Sequence, residues 1–333
     1  MAPVLILGAC KSDSTSSTDL VGDWVTRFSF NGVARSEAVS FTIGTKSYIG
    51  GGFDGTKRLN DFWEYDATTG LVRRVKTFPG VARSAAIAFA TSTKGYVGTG
   101  IDDNGNRLND FYEYTPGVTT TDSGTWVQKN NFGGSARQEA TGFAIGNTGY
   151  VLGGYDGNYL KDFWQYTPGS DSWTLKPFPG NKRREALAFV IGSKAYLATG
   201  INNGTMVVDM WQFDPATTTG DGWTQKRDIS NTSDDSYDDD YSSIARNNGV
   251  AFVINNKGYI TTGELGSFNS HTWEYDNTTD VWKEKTGFEA AGRTGAVSFT
   301  VSGKGLVLTG RSGGNPYDDI WELLPDNEKK DNN

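Results

Sequence analysis

The sequence predicts an all-β fold, a six-bladed β-propeller with four antiparallel strands per blade. Three observations carry that reading. A unit opening on Arg recurs six times along the chain. Aromatic residues make up 13% of the 333 residues and glycine numbers 43, the mix expected of many short strands joined by tight turns. The last copy of the unit also lacks a strand that the N-terminal side of the chain can supply.

The first copy runs from Arg35 through Phe41, Tyr48 and Gly51-Gly52 to Asp61-Phe62-Trp63-Glu64-Tyr65. Its counterparts open on Arg83, Arg137, Arg183, Arg246 and Arg293, and the middle four close on Trp126, Trp173, Trp223 and Trp282. The first strand alternates, with Arg35, Glu37, Val39, Phe41 and Ile43 on one face and Ala38, Ser40 and Thr42 on the other. The glycines end the second strand, where the backbone turns tightly or a neighbour approaches. The third strand carries the aromatic cluster and the fourth the lone Trp. Such a four-stranded sheet, repeated about an axis, is a propeller blade. The sixth copy stops after Asp319-Ile320-Trp321-Glu322-Leu323, and Gly22-Asp23-Trp24-Val25-Thr26 offers the missing strand with its Trp. An N-terminal strand closing the last blade removes two open edges.

The Gly-Gly doublet followed by spaced Tyr and Trp resembles the kelch repeat, and the resemblance covers residues 23–324. Gly-Gly becomes Thr-Gly at Thr99, Thr199, Thr262 and Thr309, and the first unit has Leu71-Val72 where the others have Trp.

The single cysteine, Cys10, closes the run Leu5-Ile6-Leu7-Gly8-Ala9. This resembles the lipobox of bacterial lipoproteins, and a Ser/Thr/Asp tract too polar to fold follows it. The resulting organisation is a signal remnant with lipobox at 1–10, a flexible tether at 11–22, the propeller at 23–325 and a disordered tail at 326–333. The resemblance implies an exported monomer held by lipid at Cys10 in the cell envelope, at the outer membrane. No apolar run reaches the roughly 18–20 residues of a membrane-spanning helix. A net charge of −8 argues against nucleic acid as a partner.

Strand polarity puts the six arginines, Arg35, Arg83, Arg137, Arg183, Arg246 and Arg293, at one end of the ring. Three have a Glu two residues on (Glu37, Glu139, Glu185), where the others have Ala85, Asn248 and Gly295. Two readings stand side by side: each Arg locks its blade through that Glu or the Asp opening the third strand, or the ring binds a ligand. Kelch domains that act as ligase adaptors bind acidic peptides on this face, so the resemblance implies a protein, peptide or glycan ligand, an anion included. The residues after the glycines differ between blades, and Phe53, Tyr155, Glu264 and Arg311 join the arginines as candidate contacts. Tyr155, Tyr159 and Tyr317 are placed to stack on sugar rings. The acidic insertion Asn231–Tyr241 reads as a solvated mobile loop at the same end, with a spacing unlike known Ca²⁺ loops. His271 replaces the Asp of the other five blades.

Some relatives by resemblance are enzymes. Galactose oxidases bind copper with two histidines, two tyrosines and a cross-linked cysteine; one His and a Cys at position 10 exclude that chemistry. The Ser-x-Asp-x-Gly-x-x-Trp boxes of sialidases are absent. The expectation is therefore a binding or scaffold protein without cofactor or metal. The alternative is a mutarotase or epimerase of an acidic sugar such as sialic acid, using Glu37, Glu139 or Glu185 as acid and base.

Overall fold

The computed structural model describes residues 20–330. Cys10, its expected acylation and the tether up to residue 19 lie outside the described residues. Six four-stranded antiparallel sheets form the ring. The first blade comprises Val39–Ile43, Lys46–Gly50, Phe62–Asp66 and Leu71–Arg74, hydrogen-bonded in chain order. The next four repeat this order, beginning at Ile87–Ala90, Thr141–Ile145, Leu187–Ile191 and Val250–Ile254. In the sixth, Thr294–Val301, Lys304–Ser312 and Asp319–Leu324 are completed by Asp23–Ser29, which pairs Asp23 with Leu324 and Ser29 with Asp319. The N-terminal strand closes the ring as its sequence predicts.

The folded unit extends past the expected boundaries. Thr286 donates its backbone N–H to the Val21 carbonyl (3.1 Å) and its hydroxyl to that of Leu20 (2.9 Å). Gly22 donates to the Asn327 carbonyl (2.8 Å) and the Lys330 amide to Asp23 (3.1 Å). Leu20–Gly22 and the residues up to 330 are thus tied to the closing strand, because its flanking backbone groups need partners.

Blades pack through a rule the repeat hides. The Phe of each first strand (Phe41, Phe89, Phe252 among them) lies over the second strand of the following blade. A Cβ at Gly95, Gly149, Gly258 or Gly305 would come within 2.1–2.3 Å of the preceding blade's Phe ring. Each fourth-strand Trp then meets the aromatic of the blade before it. Trp126 lies 5.0 Å from Phe62, Trp173 5.0 Å from Phe111 and Trp223 5.1 Å from Phe163. Trp24, fully buried, packs edge-on to Phe288 at 4.9 Å and to Phe252 at 6.3 Å. These edge-to-face contacts join neighbouring sheets into one ring.

The predicted alternation of the first strand fails at its start. Regular strand begins at Val39, and Glu37 has φ +54°, so the chain turns before it enters the sheet. The same turn recurs at Ala85, Glu139, Glu185, Asn248 and Gly295, with φ between +51° and +63°. Each of these six residues donates its N–H to the carbonyl of its counterpart in the preceding blade, at 2.7–3.3 Å. The bonds close a circle around the axis. Below it, small residues such as Ala38, Ser40, Ala86, Ala88 and Gly142 line the axial channel.

Candidate functional site

The six arginines are architecture. All are at most 2% exposed, and each spends its donors inside its own blade. Nε donates to the carbonyl two residues before it and Nη1 to the carbonyl sixteen residues after it, all within 2.9–3.3 Å. The rest of the fork takes the Asp that opens the third strand. Arg35 holds Asp61 at 2.7 and 2.9 Å, Arg83 holds Asp110 at 2.6 and 2.7 Å, and Arg137 holds Asp162 at 2.6 and 2.7 Å. Arg293 holds Asp319 likewise, while Arg183 meets Asp209 through Nη2 alone and Asn181 takes the second carboxylate oxygen. Five of the guanidiniums lie over the Phe five residues earlier, at 4.8–5.6 Å. As ligand-binding residues, Arg35, Arg83, Arg137, Arg183, Arg246 and Arg293 are corrected: a fork this deeply buried, with its bonds made inside its own blade, is out of a ligand's reach. Their partner is the Asp and not the Glu two residues on.

The fifth blade solves the same problem without the Asp. Arg246 donates to the carbonyls of His271 (2.9 Å) and Ser243 (2.7 Å), while the Trp273 indole donates to the Ser243 hydroxyl (3.1 Å). Burial with no carboxylate in the fork pushes the Arg246 guanidinium down from its ordinary value. The His271 ring points outward, half exposed, to Glu284.

The glutamates stand where the arginines were expected. Glu37, Glu139 and Glu185 surround the axial mouth with Asn248 and Gly295, above a cavity of about 130 Å³. Glu37 accepts from the Ser84 hydroxyl (3.0 Å) and Glu185 from the Asn247 side chain (2.7 Å). Glu139 accepts from Gln138 (2.7 Å) and faces the Arg184 guanidinium at 2.8 Å. Arg184 also reaches Glu185 at 3.9 Å, so one cation serves two carboxylates. Burial, then the nearby Glu185 charge, pushes the Glu139 carboxyl up to about 7. Burial also raises that of Glu185, with Glu37 and Glu264 adding like charge. Arg184, Gln138 and Asn247 follow the framework arginines directly and escaped the sequence reading. Their signal is variability: the six residues at that position are Ser36, Ser84, Gln138, Arg184, Asn247 and Thr294.

The rim aromatics are covered by guanidiniums. Arg107 lies over Tyr155 at 4.9 Å, Arg184 over Tyr155 and Tyr159 at 5.3 and 5.4 Å, Arg58 over Phe53 at 5.7 Å and Arg293 over Tyr317 at 4.2 Å. Tyr155, packed against the guanidiniums of both Arg107 and Arg184, is therefore already in use before a sugar could stack on it. Glu264 and Arg311 do sit at the rim: Glu264 pairs its backbone with Asn247, and Arg311 lies 3.7 Å from Glu37.

The acidic insertion, expected as a solvated loop, is anchored by two buried residues. Asp238 is fully buried and accepts from the Thr232 and Ser233 amides (3.1 and 3.0 Å) and the Ser233 hydroxyl (2.9 Å). Tyr241 is buried as well, its hydroxyl accepting from the Trp282 amide. Among the described residues no group of three or more His, Cys, Asp or Glu is arranged to hold a metal ion.

Residues 136–177, the third blade, match the family model of the kelch motif. No curated protein matches the chain. The solved structure of YjhT is similar, with TM-score 0.71 and 16% sequence identity over 87% of this chain and 95% of that one. At that identity the likeness speaks for the fold. Blade order and ring closure make this chain a six-bladed β-propeller, with the kelch motif matched in its third blade.

Proposed function

We propose that this propeller is a binding module whose ligand is gripped at the axial mouth by Glu37, Glu139, Glu185 and Arg184. One observation carries the reading. The three glutamates occupy backbone with φ of +54° to +58°, which side-chain-bearing residues seldom adopt. Two of them are desolvated enough for their carboxyls to be raised. Ala85, Asn248 and Gly295 complete the same hydrogen-bonded circle without a carboxylate, so the fold does not demand one. Carboxylates accept hydrogen bonds, which favours a ligand that donates, such as a glycan's hydroxyls or a peptide's N–H groups, over the anion first expected. Peptide- and glycan-array screens of the wild type, Glu139→Gln and Glu185→Gln test this. The reading expects ligands that both variants lose; unchanged binding profiles overturn it.

Export and lipid attachment at Cys10 belong to the same proposal. Asp23 pairs with the end of the third strand remote from Asp319, so the chain enters the propeller at the end opposite the axial mouth. An anchor there would turn the mouth away from the bilayer. Cys10→Ala should then move the protein from the membrane to the soluble fraction, and a variant that stays membrane-bound removes acylation from the account.

A second reading has its own support. A carboxyl held at about 7 gives and takes a proton at neutral pH, as a sugar mutarotase requires. Anomer exchange of an acidic sugar, followed by NMR, would be accelerated by the wild type and slowed by Glu139→Gln; equal rates with and without protein dismiss it.

A further inference from the structure

We propose that a second site, in the seam between the first and sixth blades, binds a carboxylate through Arg58 and Arg311. The seam holds a cavity of about 360 Å³ lined by Ser36, Glu37, Phe53, Arg58, Arg311 and a set of loop glycines. It meets the axial mouth only at Glu37, so it is a separate place on the same end of the ring.

The two guanidiniums of the cavity call for a ligand that accepts hydrogen bonds. Each guanidinium brings five donors. Arg311 spends one on the Gly313 carbonyl (3.1 Å) and otherwise lies 3.7 Å from Glu37. Arg58 spends its Nε on Ser84 (3.1 Å) and one Nη1 bond on the half-exposed Asp103 (3.3 Å).

The walls leave room for the ligand. A Cβ at Gly313 or Gly314 would meet nothing within 4 Å. Charge narrows the class further. Arg58 and Arg311 are balanced by Glu37 and Asp103, so a monoanion is accommodated more easily than a doubly charged phosphate. A planar carboxylate also matches the guanidinium fork. It could belong to a free sugar acid or to an acidic side chain of a peptide.

Calorimetric titration with D-glucuronate, hexaglutamate and, as neutral control, D-glucose tests the proposal and separates the two sources. Glucuronate or the peptide is expected to bind and glucose not. Arg58→Ala and Arg311→Ala should each weaken that binding about tenfold or more. Gly314→Phe, which fills open space, should block it, with a thermal melt confirming that each variant is folded. Arg107→Ala, the equivalent of Arg58 one blade on, should leave it unchanged. Neither anion binding, or binding indifferent to both arginine variants, overturns the proposal. Glu139→Gln reads the axial mouth alone, so the two sites fail or stand separately.

Discussion

Arg137 and Glu139 lie two residues apart on one turn, and they answer to different demands. The arginine is repeated in all six blades, is almost wholly buried and has every bond returned within its own blade. The glutamate recurs in three blades only, on left-handed backbone, with its carboxyl pushed up to about 7 by burial and by Glu185. A residue that all blades share is one each blade needs to fold. A residue that some blades hold at a cost, and others replace with Ala, Asn or Gly, is kept for something outside the blade.

The contrast should break first at the arginine's partner. Asp162→Ala leaves a buried guanidinium unpaired and should cost about 3–5 kcal/mol of unfolding free energy. His271→Ala, at the matching position of the fifth blade, should cost less than about 0.5 kcal/mol, because only the His271 carbonyl serves Arg246 while the ring points to solvent. Equal losses in denaturant melts would mean that the fork is not what holds a blade together.

The glutamate's signature is a pH slope. The folded protein keeps the Glu139 proton to about pH 7, whereas the group's ordinary value is 4.5. Its contribution is therefore whole below pH 4.5 and lost as the pH rises through 7, by at most about 3 kcal/mol. Glu139→Gln should flatten that fall. Unfolding free energies of both proteins between pH 4 and 8 check it, and parallel curves would show that the carboxyl is not desolvated in solution.

The ring was legible because the repeat wrote it six times: blade number, strand order and the closing Trp24 strand all follow from spacing. The site was less so. The alternation that seemed to run through Glu37 rested on strand periodicity, and a positive φ, invisible at a non-glycine residue, breaks it. The arginines drew notice by their repetition, which is the mark of packing. The variable neighbours Arg184, Gln138 and Asn247 went unread because each follows an invariant residue. The insertion read as solvated from its charge, yet one buried Asp238 accepting local amides anchors it.

The most direct test of the division between frame and site is the unfolding free energy of the triple variant Glu37→Ala, Glu139→Ala, Glu185→Ala at pH 7. Ala85 already completes the circle in the second blade, so the backbone bonds survive the change. The account predicts stability within about 1 kcal/mol of the wild type or above it, since three crowded carboxylates are removed. A loss comparable to that of Asp162→Ala would contradict it and return the glutamates to the frame.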